Sequence, residues 1–282
     1  MPRSKKNIFS PGVVLDYLNK TLVTLIPKCQ NPETLSNFRP INLCKSVYKV
    51  VSKIIIGRIR LMLSKLISLN QTAFVPGRKS VDNVLIAQEL IYSLDRRRGR
   101  VGYMAIKVDL AKAYDKLEWS FIHKVLQAFH FPQNLIKVIM NYITSMSISI
   151  LLNGSAMEPF NPLRGIKQGN PLSPYIFILC MEFLGHLIEK KCSEGSWCPL
   201  KASRGNVGIS HLFFIDDLIL FAKVNNKACE AISNVLQKFC FESRKKISVE
   251  KSKIYFSPNV DPTMKERVCD RLGMQATTCL GE

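Results

Sequence analysis

Three aspartates stand at the ends of apolar segments, where a carboxylate is costly to bury. Asp216 and Asp217 separate two short aromatic and branched runs, and Asp109 directly follows the apolar run Tyr103–Val108. Such runs are typical of buried strands, so each acidic position falls where a strand ends or turns. Adjacent carboxylates repel each other unless a cation or a proton neutralises them.

Divalent cations would explain this pattern. Mg²⁺ prefers hard oxygen ligands and is usually held by one or two carboxylates together with substrate phosphates. Two such ions, about 3.5–4 Å apart, activate the attacking oxygen and stabilise the leaving oxygen in phosphoryl and nucleotidyl transfer. Taken singly, each aspartate has a plainer interpretation as a turn residue or a helix cap. Three of them in a strongly basic chain favour the metal site.

The composition is that of a globular protein with a polyanionic partner. The 282 residues include 40 lysines and arginines against 21 acidic residues, which gives a formal net charge of +19. A charge of this size points first to nucleic acid. A membrane surface is the second candidate, but no basic amphipathic helix with a bulky apolar face supports it.

The cysteines and the apolar segments indicate an intracellular protein. Nine cysteines are scattered without a Cys-x-x-Cys pair, which is typical of reduced thiols rather than of disulfides or a zinc site. No signal peptide is apparent, and the most apolar stretch, 175–188, is too short to span a bilayer. We therefore expect a nuclear or cytoplasmic location and no membrane partner.

Hydrophobic periodicity predicts interleaved helices and strands. Helices are predicted near 45–67, 81–94, 116–129, 134–145, 175–191 and 227–243. Strands are predicted at 21–27, 103–108, 147–152 and 254–256, with the acidic hairpin at 213–221. Asn153-Gly154 is a strong hairpin signal, with a return strand near 157–160. Because the hairpins are antiparallel and βαβ regularity is missing, we expect an α+β fold with an antiparallel sheet covered by helices on one face.

Two groups of cations lie outside the acidic segments. Six of them share the polar face of the first predicted helix, which is either a solvated face or a nucleic-acid track: Lys45, Lys49, Lys53, Arg58, Arg60 and Lys65. Four others follow the second helix in a loop that either grips phosphates or keeps the loop solvated: Arg96, Arg97, Arg98 and Arg100.

Five segments, in order, resemble motifs A to E of reverse transcriptases. They are VDLAKAYDKLEW at 108–119, GIKQGNPLSP at 165–174, FIDD at 214–217, VEKSK at 249–253 and CLG at 279–281. Three earlier segments are similar to the fingers region of LINE-type non-LTR retrotransposons of plants: LIPK at 25–28, NFRPI at 37–41 and QTAFV at 71–75. The ordered set covers nearly the whole chain and is far more specific than any one motif.

The resemblance implies a polymerase with right-hand architecture. Residues 1–102 would hold an N-terminal extension and the fingers, and 103–282 the palm, with further finger elements within 117–160. The similarity stops before a thumb. The implied activity is RNA-directed DNA synthesis, which adds deoxynucleotides to a DNA primer on an RNA template with two Mg²⁺ or Mn²⁺ ions. The alternatives are a catalytically inactive nucleic-acid-binding remnant of such an element, or a basic adaptor whose acidic turns lie far apart. Oligomeric state is left open.

The family motifs assign roles to individual residues. The metal-binding set would be Asp109, Asp216 and Asp217, with the backbone carbonyl of Leu110. The nucleotide-binding set would be Arg39 at the triphosphate, Tyr114 under the sugar, where it excludes a 2′-hydroxyl, Gln168 and Gly169 against the nucleotide and template base, and Lys251 near the pyrophosphate. A core tyrosine and a surface lysine are the competing interpretations of Tyr114 and Lys251.

Four residues depart from the family pattern. Ile215 replaces the usual alanine of motif C, and Asn170 replaces the aspartate that usually follows Gln-Gly. Near motif D, Arg244 and Ser248 stand where a glycine and an asparagine are usual. We expect Ile215 to be accommodated by repacking, Asn170 to keep hydrogen bonding without the charge, and Arg244 to strain a turn. All three aspartates are retained, so the departures do not exclude chemistry.

Overall fold

The computed structural model describes residues 19–202, 207–215 and 217–280. Its α-helices are α1 (Ser46–Leu66), α2 (Ser80–Asp95), α3 (Trp119–Ala128), α4 (Gln133–Thr144), α5 (Ser173–Ser193), α6 (Asn226–Ser243) and α7 (Pro262–Leu272). Its strands are β1 (Lys20–Pro27), β2 (Phe38–Cys44), β3 (Tyr103–Val108), β4 (Ser147–Leu152), β5 (Ser155–Ala156), β6 (His211–Phe214), β7 (Asp217–Lys223), β8 (Lys253–Phe256) and β9 (Gln275–Thr277).

The described residues form two compact units. The first comprises 19–62 and 114–177, and the second comprises 63–113 and 178–280. Each unit has its own sheet, with strand order β2-β1-β4-β5 in the first and β6-β7-β3-β8-β9 in the second. The functional division into fingers and palm at residue 102 stays a prediction.

The sheet of the first unit is mixed rather than purely antiparallel. Strand β1 pairs antiparallel with β2 and parallel with β4. The predicted Asn153-Gly154 hairpin joins β4 to β5, and both of its turn residues have positive φ, 49° and 83°. The return strand begins earlier than predicted, although Phe160 still bridges Ile148. The Asn153-Gly154 pair is therefore enough to predict the turn, but it does not predict which residues of the return strand pair with β4.

Strand β3 is the centre of the sheet in the second unit. It pairs antiparallel with β7 on one side and with β8 on the other, while β9 adds a parallel edge. Alternate residues of β3 and its neighbours form a nearly fully buried face: Met104, Ile106, Val108, Leu218, Leu220 and Ile254. Continuous burial of branched and long apolar side chains explains why these segments are strands.

Helices lie against both faces of this sheet, which differs from the expectation of one covered face. A Cβ added at Gly185 of α5 would meet His211 and Phe213 at 3.3 and 3.5 Å, and Phe213 shares the buried face. On the opposite face, Leu90 and Leu94 of α2 belong to one buried cluster with Ala105 and Phe221. Helix α2 therefore covers the face opposite to α5, and the Asn83 amide near its start donates to the Phe213 carbonyl at 2.9 Å.

Helix α7 was not predicted, although its ends carry recognisable signals. The Asp261 side chain accepts from the backbone N–H of Thr263 at 2.8 Å, and Pro262 stands in the first turn. Gly273 ends the helix in the left-handed region, with φ 66°. Its sequence, PTMKERVCDRL, is so polar that the apolar periodicity is weak. The capping residues at its two ends predict this helix, whereas the hydrophobic pattern does not.

None of the helices in the described part of the chain is both long and apolar enough to cross a membrane.

The strained turn expected at Arg244 is confirmed. Helix α6 ends at Ser243, and Arg244 follows with φ 56° and ψ 22°, in the left-handed region that glycine occupies without a steric penalty. The guanidinium lies 5.3 Å from the centre of the Phe241 ring. This exposed stacking compensates for only part of the backbone strain.

Arg244→Gly is expected to be more stable than Arg244→Ala by about 1 kcal/mol, because both remove the side chain but only glycine removes the Cβ clash. Urea unfolding of the two variants and the wild type measures this. An alanine variant as stable as the glycine variant would show that the left-handed conformation carries no strain.

Candidate active site

Asp109 and Asp217 face each other across neighbouring strands of the second unit. The antiparallel pairing of β3 with β7 runs to Val108 and Leu218, so continuing the register by one residue sets Asp109 opposite Asp217. Cβ atoms at such positions are about 5 Å apart. Asp217 is exposed and Asp109 is half-buried. This placement counts against the adaptor interpretation, while the catalytic role of the pair stays a prediction.

Backbone hydrogen bonds hold Asp109 from the side opposite β7. Its N–H donates to the Ser252 hydroxyl at 3.1 Å, and its carbonyl accepts from the Ser248 N–H at 2.9 Å. Because backbone groups alternate in direction along an extended chain, the carbonyl of Leu110 points the other way, toward the side on which β7 lies. The bridge between Leu110 and Ile247 has this geometry. The backbone therefore presents the Leu110 oxygen on the side of Asp217.

Ser252 is a positioning residue that the sequence motifs did not single out. It is fully buried, and its hydroxyl is the side-chain contact that fixes the Asp109 backbone. The charged segment VEKSK carries no signal of this burial, since a serine between two lysines has no apolar reason to be buried. Ser248 acts through its backbone N–H, a contact that does not depend on the asparagine usual at this position.

The turn between β6 and β7 is strained at Ile215. Phe214 pairs with Asp217, which leaves a two-residue turn, and Ile215 has φ 59°. A β-branched residue in the left-handed region is a true conformational outlier. The side chain is partly buried, so the departure from alanine strains the backbone, and the repacking that we expected stays a prediction. Asp216 and Gly281 of the motifs lie outside the described residues.

The oxygen donors at this end of the sheet suit a hard cation. Asp109 and Asp217 offer carboxylate oxygens and Leu110 a carbonyl, with no sulfur or imidazole ligand among them, which is the donor chemistry of Mg²⁺ and Mn²⁺. Among the described residues, no group of three or more His, Cys, Asp and Glu side chains could hold a metal. A third acidic ligand would have to be Asp216, which the described part of the chain does not include.

In the first unit, the motif A and motif B segments contact each other. The Ile166 N–H donates to the Tyr114 carbonyl at 3.0 Å, and the Gly165 N–H donates to the Leu117 carbonyl at 2.8 Å. The Gln168 amide donates to the Asp115 carboxylate at 3.1 Å. These contacts bring the predicted nucleotide residues Tyr114 and Gln168 to one place.

Two glycines permit close approach of the motif B backbone to its neighbours, one in motif A and one in β2. Gly165 has φ 88°, and a Cβ there would lie 2.6 Å from the Asp115 carbonyl oxygen. Gly169 has φ 86°, and its Cβ would lie 3.3 Å from the carbonyl oxygen of Asn42. Any side chain at either position would therefore move the loop.

The Tyr114 ring is anchored but not enclosed. It stacks on Phe177 with ring centroids 4.8 Å apart and an interplanar angle of 18°. The residue is only partly buried, so it is not enclosed in the core of the first unit. This arrangement fits a site rim better than a core position.

The remaining predicted nucleotide residues are exposed. Arg39 lies in β2 opposite Ile26, and Lys251 follows the turn that begins at Ser248. No described contact fixes either side chain toward a site, so both roles stay predictions. In the basic loop, Arg96, Arg98 and Arg100 are exposed and Arg97 is partly buried. Arg96 and Arg97 stack on tyrosine rings.

Lys167, next to Gln168, is a buried lysine held by neutral partners. Its Nζ donates to the Asn19 carbonyl at 3.2 Å and to the side chains of Asn19 and Thr21, and it lies 4.4 Å from the centre of the Tyr48 ring. Only 3% of the residue is exposed. Burial lowers the pKa of Lys167 from 10.5 to about 8.

A tyrosine pair connects this lysine to Asn170. Tyr48 and Tyr142 stack with centroids 4.0 Å apart, and each hydroxyl donates to the other residue's carbonyl. The Tyr142 hydroxyl also lies 3.2 Å from Asn170 Oδ1, which accepts from the Leu172 N–H at 3.3 Å as well. The expectation that Asn170 keeps hydrogen bonding is confirmed. An aspartate here would add a negative charge close to a buried cation.

The charge on Lys167 should make stability depend on pH. Because its pKa is lower in the folded chain than in the unfolded chain, the unfolded state binds more protons between about pH 8 and 10.5, and the free energy of unfolding rises with pH across that window. We expect Lys167→Met to remove about 1–3 kcal/mol of this rise. Chemical unfolding at a series of pH values measures it.

Lys137→Met, at an exposed lysine of α4, is the matched control and should keep the wild-type slope. Burial also raises the pKa of several cysteines, so the readout is the difference between variants. Equal slopes for Lys167→Met and the wild type would show that Lys167 is not a desolvated cation.

Comparison with known proteins gives matches of sequence and of fold. The family model described as "Reverse transcriptase (RNA-dependent DNA polymerase)" matches residues 26–276. "Transposon TX1 uncharacterized 149 kDa protein" of Xenopus laevis is 28% identical over 215 residues, which cover 76% of this chain. "Retrovirus-related Pol polyprotein from type-2 retrotransposable element R2DM" of Drosophila melanogaster is 28% identical over 235 residues, 79% of this chain.

The chain is much shorter than these relatives. The matches span 16% of the Xenopus protein and 21% of the Drosophila protein. Among solved structures, telomerase from Candida tropicalis in complex with a fragment of telomeric RNA has a TM-score of 0.60 at 13% identity, covering 86% of this chain and 41% of that one. At this identity the likeness concerns the fold alone.

Proposed function

Because the chain belongs to the reverse transcriptase family, we propose that it polymerises DNA on an RNA template as part of a non-LTR retrotransposon protein. Its similarity to the R2DM polyprotein supports the retrotransposon origin; the plant subgroup stays an expectation. The observation that carries the proposed chemistry is the placement of Asp109 opposite Asp217 at the open end of the β3–β7 pair. Two carboxylates in that position attract divalent cations.

Asp109, Asp217, Asp216 and the Leu110 carbonyl would hold two Mg²⁺ or Mn²⁺ ions. When bound, the ions lower the pKa of the attacking primer hydroxyl and stabilise the negative charge on the leaving pyrophosphate. Ser252 and Ser248 fix the backbone of Asp109, so the strand end that carries its carboxylate is held in place before the ions bind. This preorganisation is the contribution of motif D that the contacts support.

The residues of the first unit would bind the incoming deoxynucleotide. Tyr114, held against Phe177, offers a ring to the sugar, and Gln168, oriented by Asp115, offers amide groups to the nucleotide or template base. Arg39 would contact the triphosphate, and Lys251, which belongs to the second unit, would contact the pyrophosphate. The RNA template and the DNA primer are the partners expected for a net charge of +19.

An intracellular location accompanies this proposal. All nine cysteines are free thiols, and burial raises the pKa of Cys180 to about 12, which keeps that thiol protonated and unreactive. A reducing compartment suits such a set. We infer a nuclear or cytoplasmic site of action.

Asp109→Asn should lower the rate of primer extension by more than about 100-fold, because it removes a metal ligand without changing volume. The measurement is Mg²⁺-dependent incorporation of deoxynucleotides on an RNA template with a DNA primer. Asp270→Asn, at an exposed aspartate of α7, is the matched control and should leave the rate unchanged.

The same assay separates the two functional interpretations. Wild-type chain that binds template–primer but does not extend it in Mg²⁺ or Mn²⁺ would favour the inactive remnant. Extension that survives in Asp109→Asn would remove the proposed role of that carboxylate.

Tyr114→Ala should let ribonucleotides in, since the ring on Phe177 would no longer occupy the space of a 2′-hydroxyl. We expect the preference for deoxynucleotides over ribonucleotides to fall by about 10–100-fold. Tyr114→Phe keeps the ring and should keep the preference. Competitive incorporation of the two nucleotide types reports it, and an alanine variant with wild-type preference would place the ring outside the sugar site.

A further inference from the structure

A basic cavity opens at the other end of β3 from the carboxylates. It has a volume of about 520 Å³ and lies between the end of α2 and residues 198–202. Six of its lining residues define what we term the arginine–tyrosine pocket: Tyr92, Arg96, Arg97, Tyr103, Cys198 and Lys201. All six belong to the second unit.

Both arginines are held by aromatic rings. The guanidinium carbon of Arg96 lies 4.1 Å from the centre of the Tyr92 ring, and that of Arg97 lies 4.8 Å from the centre of the Tyr103 ring. A guanidinium held over a ring keeps its N–H edge and its outer face available for a ligand. Stacking therefore preorganises the two cations instead of neutralising them.

The walls of the pocket are tied together by hydrogen bonds. Arg97 Nη2 donates to the Lys201 carbonyl at 2.5 Å, and the Ser93 hydroxyl donates to the Ala202 carbonyl at 3.1 Å. The nearby carboxylate of Asp95 accepts instead from the Tyr255 hydroxyl. Among the described residues of the lining, Glu89 is the one acidic residue, against three cations. The pocket thus keeps a net positive charge.

We propose that the arginine–tyrosine pocket binds one unpaired nucleotide of a single-stranded RNA or DNA segment. The base stacks on the outer face of the Arg96–Tyr92 pair, and Arg97 and Lys201 contact the flanking phosphates. Arginine planes and aromatic rings are the surfaces on which proteins stack unpaired bases, and such stacking tolerates any sequence. This site deepens the proposed function, on which its biological role rests, and it adds Tyr92, Tyr103 and Lys201 to the residues suggested by the sequence.

The pocket is distinct from the polymerisation site. Tyr103 begins β3 and Asp109 directly follows it, six residues further on and, by strand alternation, on the same face of the sheet. The two residues are therefore separated by about 20 Å. That distance is too great for one nucleotide to touch both. Duplex does not suit the pocket, because its bases are already stacked on each other and cannot enter a cavity.

Binding of a fluorescent single-stranded oligonucleotide, followed by anisotropy, tests the proposal. Arg96→Gln combined with Lys201→Gln should weaken binding by about tenfold or more and reduce the slope of log affinity against log salt by about 0.7 for each phosphate that is no longer neutralised. Lys238→Gln combined with Arg267→Gln, which removes the same two residue types from exposed positions of α6 and α7, should weaken it by less than about threefold.

Tyr92→Leu separates stacking from charge, since it keeps apolar bulk and all cations. It should weaken single-strand binding by about fivefold or more and leave duplex binding unchanged. Equal decreases in affinity for the pocket and control double variants would overturn the proposal in favour of general electrostatic attraction. A mononucleotide that binds as tightly as the strand would overturn the assignment to a strand.

Cys198 provides a direct reporter, because its exposed thiol lines the same cavity. A bound oligonucleotide should slow alkylation of Cys198 relative to Cys29, an exposed thiol of the first unit. Equal rates of Cys198 alkylation with and without oligonucleotide would place the strand elsewhere.

Primer extension by the wild type and the pocket variants distinguishes failure of this proposal from failure of the polymerase proposal. If the wild type extends primers and the pocket variants bind single strands as tightly as the wild type, only the pocket proposal is overturned. If the pocket variants bind single strands more weakly but the wild type never extends a primer, only the polymerase proposal is overturned.

Discussion

The pairing of β3 with β7 is the interaction on which the rest of the second unit depends. Along the ladder, apolar side chains such as Ile106 and Leu220 bury one face completely. Where the ladder ends, the same register sets Asp109 opposite Asp217, an arrangement of like charges that opposes pairing. The sheet tolerates this repulsion because the carboxylates lie beyond the last apolar pair and Asp217 is exposed. The hydrophobic energy of the ladder thus holds two groups together that would otherwise move apart.

Much of this arrangement could be predicted because it is local. Strand β3 and strand β4 begin and end at the residues that their apolar runs predict, and Asn153-Gly154 encodes its own turn. What could not be predicted depends on contacts between distant segments. The hydroxyl of Ser252 meets Asp109 across 143 residues, and Lys167 meets Asn19 across 148. Hydrophobic periodicity reports local structure and does not predict such contacts. The charged residues on either side of Ser252 also suggest an exposed segment, although Ser252 is buried.

Two departures from the family pattern place an unfavourable residue type in the left-handed backbone region. Ile215 and Arg244 both occupy the left-handed region, with φ of 59° and 56°, although neither side chain favours it. A third departure, Asn170, is accommodated because its amide oxygen still accepts from Tyr142 and Leu172. Asn170 therefore keeps its hydrogen bonds, whereas at Ile215 and Arg244 the backbone of a turn is strained. A turn can carry such strain only while the elements on either side of it stay packed.

The hydrogen bonds from Ser248 and Ser252 to the Asp109 backbone set a lower limit on the length of an independently folded version of this domain. The three aspartates of the proposed metal site all precede residue 218, so a protein trimmed after β7 would keep each of them. It would lack Ser248, Ser252 and the whole of β8, which pairs with β3 from Met104 to Lys107. Strand β3 would then become an unprotected sheet edge that invites association with other chains. A soluble minimal version must therefore run at least to the end of β8, at Phe256.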